Sequence, residues 1–134
     1  MNQALIDTNI ISYYLFGDYP NVVKNFDVYI QKHAFVSIGR PTIYEILSGL
    51  KAKNASQKLR QFEAFIMQHK VLEITEKSTQ ISSDIYAILR NKGIIIGEND
   101  IYLAGIALEN NLELCTNNSK HFKDIPDLRL VNWV

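Results

Sequence analysis

The sequence predicts an α/β domain of three layers, in which helices cover both faces of a mainly parallel β-sheet. Short apolar runs, typical of buried strands, alternate along the chain with longer segments whose apolar residues recur at helical spacing. The chain also has no internal repeat and no low-complexity stretch. Strands and helices that alternate in this way are typical of parallel sheets covered by helices, because each crossover between parallel strands needs a connecting helix.

Each element follows from a local pattern. Five apolar runs are predicted as strands: residues 4–6, 34–38, 70–74, 112–116 and 129–131. Six segments are predicted as helices: residues 9–16, 21–32 with Asn21 as the cap, 41–50, 56–68, 78–92 and 100–109. The segment 78–92 has the most regular apolar period and ends before Gly93. The segment 100–109 is apolar on nearly every side, which predicts a buried helix.

Composition limits the possible functions. The 134 residues predict one domain, and a hydrophobic content of 47% predicts a substantial core. Fourteen basic and fourteen acidic residues cancel, so a nucleic acid would have to be held by a local patch. The single cysteine, Cys115, lies in an apolar run, which predicts a buried reduced thiol. The sequence has no pattern of a signal peptide or a membrane span, so we expect a soluble, cytoplasmic protein with no membrane partner.

Acidic and amide side chains recur at the boundaries of the predicted elements. Asp7 ends the first strand, Asp100 opens the buried helix, and Asn118 follows the fourth strand. Glu45 lies on the third helix, roughly 200° around the axis from the apolar stripe that contains Ile43. Taken singly, each has a structural explanation, such as a helix cap for Asp7 or the helix dipole for Asp100. Together, the carboxylates would repel one another unless a divalent cation neutralised them.

With these residues in place, the chain resembles the PIN-domain ribonucleases, and among them the VapC-type toxins of bacterial toxin–antitoxin pairs. Four segments carry the resemblance, in the order and spacing of the family: residues 5–9, 44–49, 96–104 and 116–122. The resemblance implies a parallel sheet of five strands in one PIN domain over residues 1–134. It also implies an Mg²⁺- or Mn²⁺-dependent endoribonuclease that hydrolyses RNA phosphodiester bonds with a metal-activated water.

The resemblance assigns site residues one by one. Asp7 and Asp100 match the principal metal-binding aspartates of the family, and Glu45 matches its helix-borne glutamate. Many PIN domains have aspartate where this chain has Asn118, although the VapC-like branch often has two asparagines there. Because an amide carries no negative charge, a second metal ion would be held more weakly at this site. Glu98 could compensate, or it could be an exposed acid without such a role.

The resemblance further implies three partners: an RNA substrate, a cognate antitoxin that lies over a groove near the third and fourth helices, and a second copy of the chain. Phosphates of the RNA would be bound by basic residues, which could equally form a solvated surface: Arg40, Lys51, Lys53, Lys58, Lys120 and Lys123. Three tyrosines could stack on unpaired bases, although we expect two of them in the core: Tyr13, Tyr14 and Tyr44. His121 could approach a phosphate, but a surface role is the simpler expectation.

Two other functions compete with this interpretation. A haloacid dehalogenase-type phosphatase also begins with an acid after its first strand, but it requires a second aspartate two residues later, where this chain has Asn9. A catalytically silent PIN module that binds RNA or protein is the stronger alternative, because Asn118 could indicate a site that has lost its activity. The three retained carboxylates argue against this alternative, and nuclease activity that chelation abolishes would separate the two.

Overall fold

The computed structural model describes all residues from Met1 to Val134. Its five strands are β1 (Ala4–Ile6), β2 (Ser37–Gly39), β3 (Lys70–Leu72), β4 (Glu113–Cys115) and β5 (Leu130–Val131). Its seven helices are α1 (Thr8–Phe16), α2 (Pro20–His33), α3 (Arg40–Ala52), α4 (Ser56–Met67), α5 (Glu76–Asn91), α6 (Glu98–Glu109) and α7 (Ser119–Phe122). None of these helices has both the length and the apolar character needed to cross a membrane.

The strands form one sheet in the order β3-β2-β1-β4-β5, and every pair is parallel. The central strand β1 is buried on both faces, and its side chains alternate between two cores. Ala4 and Ile6 belong to a cluster formed with helices α1 to α4, whereas Leu5 belongs to a cluster formed with α5 and α6. The predicted three-layer α/β fold with a parallel sheet of five strands is therefore confirmed.

Several predicted helix and strand boundaries differ from those in the structure. The strand expected at residues 34–38 begins only at Ser37, because Ala34 ends α2 with a φ of 72°. Asn21 was wrong as the cap of the second helix: Pro20 occupies its first turn, and Tyr19 precedes it without a side-chain hydrogen bond. Proline suits this position because its missing N–H would have no partner in the first turn. The four-residue helix α7 was not predicted.

The helix α5 starts two residues earlier than the apolar period indicated. The Thr75 hydroxyl accepts a hydrogen bond from the Ser78 backbone N–H at 3.0 Å, and the Ser78 hydroxyl accepts one from the Thr75 N–H at 2.8 Å. This reciprocal pair satisfies donors that the first helical turn leaves open. This capping box was hard to recognise from the sequence, because its third helical position is Ser78 instead of the usual glutamate or glutamine.

The parallel topology places the candidate residues at one edge. Asp7 directly follows β1, and residues 116–118 directly follow β4, the neighbour of β1. Asp100 lies in the first turn of α6, a helix that starts at this edge of the sheet and runs back to the opposite edge, where β4 begins. Because the carboxyl ends of parallel strands border the crevice where ligands bind, this edge is where a site is expected.

Candidate active site at the carboxyl edge of the sheet

Asp7 is the most buried acid of the chain, with 5% of its surface exposed. Its Oδ1 accepts a hydrogen bond from the Thr8 backbone N–H at 2.7 Å, and its Oδ2 accepts one from the Thr116 hydroxyl, also at 2.7 Å. The backbone N–H of Asp7 donates to the Cys115 carbonyl at 2.9 Å, which ties the ends of β1 and β4 together. The carboxylate is therefore held in one orientation, and each oxygen keeps a lone pair for another ligand.

Glu45 is held near the end of β1 by a hydrogen bond from Thr8. The Thr8 hydroxyl donates to Glu45 Oε2 at 2.9 Å, so the backbone of Thr8 orients Asp7 while its side chain orients Glu45. Glu45 is half-buried and lines two adjoining clefts, as expected for a residue that lies away from the apolar stripe of α3. Thr8 thus connects two of the three predicted carboxylates.

Asp100 faces this pair from α6. It lines a cleft together with Glu45 and Glu98, and its Oδ2 lies 3.5 Å from Nδ1 of His121 on α7. The side chain of His121 is 58% exposed, in agreement with the expected surface position, yet it contacts one of the predicted site residues. Glu98 is exposed at the start of α6.

Burial and neighbouring charges change the pKa values of Asp7 and Asp100. Burial raises the pKa of Asp7, hydrogen bonds from Thr116 and Thr8 lower it, and the nearby charges of Asp100 and Glu45 raise it again. Burial also raises the pKa of Asp100, to which Glu45 adds, whereas His121 opposes the increase. Both burial and the neighbouring negative charges therefore disfavour the ionised forms of Asp7 and Asp100.

Asn118 adjoins this group through its backbone. Its N–H donates to the Thr116 hydroxyl at 2.9 Å, and that hydroxyl in turn donates to Asp7. The side-chain amide of Asn118 is exposed and has no hydrogen-bond partner within the protein. The structure therefore brings all four predicted site residues, Asp7, Glu45, Asp100 and Asn118, to the same edge of the sheet.

The donor set suits a hard divalent cation. Carboxylate oxygens are the ligands that Mg²⁺ and Mn²⁺ prefer, and burial with like charges leaves Asp7 and Asp100 in need of a counterion. Cys115 is fully buried, with its thiol pKa raised by burial, so it supplies no thiolate for a zinc site. In this structure no three acidic, histidine or cysteine side chains are close enough together to hold a metal ion. Glu45 and Asp100 line one open cleft, and Asp7 lies behind it at the end of β1.

The other predicted contacts fall into two groups. Arg40 pairs with Glu73 at the surface, its guanidinium donating through Nε at 2.8 Å and through a second nitrogen, and both side chains stay exposed. Lys53 and Lys58 line the cleft that contains Thr8 and Glu45. Tyr13 stacks on Tyr19 and Tyr14 stacks on Phe26, whereas Tyr44 is 64% exposed beside the acids. Tyr13 and Tyr14, expected in the core, are thus partly buried and pack against it.

Sequence reasoning missed Thr116. This residue is completely buried and is the direct hydrogen-bond partner of both Asp7 and Asn118. Its position offered a signal, because it follows β4 just as Asp7 follows the neighbouring parallel strand β1. A hydroxyl at that point is within reach of an acid at the adjacent strand end. Its assignment to the strand 112–116 hid this role.

Comparison with known proteins agrees with this geometry. The family model of the PIN domain matches residues 4–128. A relative named Ribonuclease VapC2, from Rickettsia felis, is 32% identical over 130 residues, which cover 96% of each chain. A protein of Salmonella typhimurium named tRNA(fMet)-specific endonuclease VapC is 27% identical over 134 residues, or 99% of each chain.

Solved structures give the same result. The chain superposes on the crystal structure of VapBC2 from Rickettsia felis bound to a promoter DNA fragment with a TM-score of 0.89, at 28% identity and with 98% of each chain covered. The DNA-bound VapBC of Salmonella typhimurium gives a TM-score of 0.89 at 26% identity, over the full length of both chains. The chain therefore belongs to the PIN-domain family and, within it, to the VapC group.

Proposed function

We propose that this protein is an Mg²⁺- or Mn²⁺-dependent endoribonuclease that acts as the toxin of a toxin–antitoxin pair. The observation that carries the proposal is the meeting of Asp7, Glu45 and Asp100 at one edge of the sheet, where their charges act on one another. The relatives support the reaction class, since they are named as ribonucleases or as a tRNA endonuclease. RNA hydrolysis by such a toxin would take place in the cytoplasm.

The chain's own residues would divide the work. Asp7, Glu45 and Asp100 would hold the cation, with Asp7 and Glu45 kept in place by Thr116 and Thr8. When bound, the cation would lower the pKa of a water molecule and offset charge that grows on the phosphate. The free side-chain amide of Asn118 would donate a hydrogen bond to a phosphate oxygen, a task that an aspartate there would oppose.

A second cleft supports control by an antitoxin. It lies between α1, α3 and α4, and its wall combines an acid, lysines and apolar side chains: Glu45, Lys53, Lys58, Phe16, Ile46 and Leu50. An antitoxin segment with apolar side chains could bury them there and cover Glu45 at the same time. Solved relatives are complexes named VapBC, which is consistent with such a partner.

We also expect a homodimer, which sedimentation of the isolated protein would test.

Cleavage of single-stranded RNA tests the proposed activity. We expect cleavage with Mg²⁺ or Mn²⁺, none with EDTA, and a loss of at least about a hundredfold in Asp7→Asn, because a catalytic cation is worth several kcal/mol at the transition state. Asp84→Asn is the matched control, because it removes an exposed acid of α5 that does not line the clefts containing Glu45, Glu98 or Asp100. Equal rates in Asp7→Asn and the wild type would contradict the proposal, and RNA binding without cleavage would favour a catalytically silent module.

A further inference from the structure

A third cleft lies beside the acids, between helices α5 and α6. Seven residues line it: Thr79, Ser82, Ser83, Tyr86, Glu98, Ile101 and Tyr102. Glu98 also lines the cleft that contains Asp100 and Glu45, so the two clefts share a wall. We propose that this cleft, called here the α5–α6 cleft, binds one unpaired base of the RNA whose backbone lies at the acids. This inference rests on the proposed function and names a binding subsite for its substrate.

Close packing further along the two helices sets the width of the cleft. A Cβ atom added to Gly105 on α6 would lie 2.0 Å from the Ser82 hydroxyl oxygen and 2.7 Å from the Ser78 carbonyl. The Ser82 hydroxyl also donates to the Ile101 carbonyl at 3.0 Å, which joins the helices at the floor of the cleft. These contacts are buried, so the cleft is formed before any ligand binds. A preformed site loses less entropy on binding than a flexible one.

The size of the cleft suits a single ring system. Its volume is about 220 Å³. Pockets that enclose drug-sized ligands have roughly 300–1,000 Å³, so this cleft would admit a base but not a bulky ligand. A docking site for a protein would instead be expected to offer a broader apolar surface.

The chemistry of the wall fits a base in RNA. Tyr86 is 46% exposed, and the Arg90 guanidinium lies 5.0 Å from the centre of its ring. Aromatic rings stack on unpaired bases, while a nearby guanidinium attracts the phosphates that connect them. The hydroxyls of Tyr86 and Tyr102 and the carboxylate of Glu98 have no hydrogen-bond partner within the protein, so they are available to the polar edge of a base.

The test compares variants of Tyr86 for RNA binding and cleavage. Binding of a short fluorescent single-stranded RNA is measured by anisotropy in EDTA, where cleavage is not expected. Loss of one stacked base should weaken binding by about five- to a hundredfold in Tyr86→Ala and Tyr86→Leu, whereas Tyr86→Phe keeps the ring and should bind almost normally. Ile88→Ala is the matched control, because it changes an exposed apolar residue of the same helix outside the cleft. Melting curves establish that each variant is folded, and the leucine variant keeps most of the side-chain volume.

Kinetics with Mn²⁺ provide a second readout. KM for the RNA should rise in Tyr86→Ala with little change in kcat, since the residue binds substrate away from the reacting atoms. Wild-type binding by both Tyr86→Ala and Tyr86→Leu would overturn the inference. A shift from dimer to monomer on sedimentation of Tyr86→Ala would also overturn it, by assigning the cleft to contact between two copies.

The same experiments separate this inference from the proposed function. If the wild type cleaves RNA but the Tyr86 variants bind RNA normally, the subsite is wrong and the nuclease stands. If the wild type cleaves no RNA, yet its RNA binding requires the ring of Tyr86, the nuclease is wrong and the subsite stands. If the wild type neither binds nor cleaves RNA, both are overturned.

Discussion

At the scale of single residues, Asp7 has two roles that the sequence presented as alternatives. It is the cap of α1, with Oδ1 accepting from the Thr8 N–H, and it also faces Asp100 and Glu45 at the end of β1. The two roles are compatible because a cap uses only one lone pair of a carboxylate. A capping explanation for an acid at a strand end therefore does not argue against a catalytic one.

The buried charge of Asp7 should reduce the stability of the metal-free protein. Since folding raises its pKa above the ordinary value of 3.8, the folded state binds the proton more tightly, and the resulting stability is lost as the pH rises through the folded pKa. Asn at this position stays neutral, so in EDTA at neutral pH the Asp7→Asn protein should melt higher than the wild type. Thermal melting of both proteins from pH 4 to 8 measures this effect. The difference between their melting temperatures should become smaller as the pH falls toward 4. A lower melting temperature in Asp7→Asn at pH 7 would contradict it.

Thr116 should act through the orientation of Asp7. Thr116→Val removes the hydroxyl that donates to Asp7 Oδ2 and accepts from Asn118, leaving the shape of the side chain almost unchanged. We expect the affinity for Mn²⁺, measured by calorimetry, to fall about tenfold, because a hydrogen bond to a charged group is worth about 1.5–3 kcal/mol. Thr116→Ser retains the hydroxyl and should bind Mn²⁺ nearly as the wild type does. Equal affinities in the valine and serine variants would remove Thr116 from any positioning role.

At the scale of elements, the close contact between helices α5 and α6 depends on residues with small side chains. Ser78 and Ser82 on α5 are buried against Gly105 on α6. The apolar character of residues 100–109 predicted a buried helix, but it did not identify α5 as the neighbour of Gly105.

Gly105→Ala should therefore destabilise the fold, although alanine normally favours a helix. The new Cβ would overlap the Ser82 hydroxyl and approach the Ser78 backbone carbonyl, so the two helices must move apart. We expect a loss of about 1–3 kcal/mol in the free energy of unfolding, as found for overpacked cores, measured by urea denaturation. Gly49→Ala is the matched control, because its Cβ would meet no other atom. A Gly105→Ala protein as stable as this control would contradict the close packing of α5 and α6 at Gly105.

The order of elements was predictable because it rests on apolar period, which tertiary contacts reinforce. The exact first residues of the helices were not predictable, since they depend on competing capping residues. Pro20 begins α2 before the expected Asn21, and the pairing of Thr75 with Ser78 begins α5 earlier than expected. In the site, Asp7 and Asp100 could be predicted from their positions at a strand end and a helix start, and Glu45 from its position away from the apolar stripe of α3. The hydrogen bonds from Thr8 to Glu45 and from Thr116 to Asp7 could not be predicted, because they join residues that are 37 and 109 positions apart in the sequence.

At the scale of the whole molecule, the parallel sheet is what assembles the site. The neighbours β1 and β4 end at the same edge, so Asp7 and Thr116 meet although they are distant in sequence. The helix α3 follows β2 directly and brings Glu45 to the same place, and α6 begins there with Asp100. Because the net charge is zero, the proposed recognition of RNA would depend on local features such as Lys53, Lys58 and Arg90.

Titration of the protein with Mn²⁺ by calorimetry tests most directly whether these acids form a metal site. The wild type should bind the ion, and its melting temperature should rise with Mn²⁺, because a ligand that binds the folded state alone stabilises it. Asp7→Asn and Asp100→Asn should each lose about tenfold or more in affinity, since each removes an anionic oxygen ligand. The exposed-acid control Asp84→Asn should match the wild type. Equal Mn²⁺ affinity in all four proteins would contradict the assignment of the site.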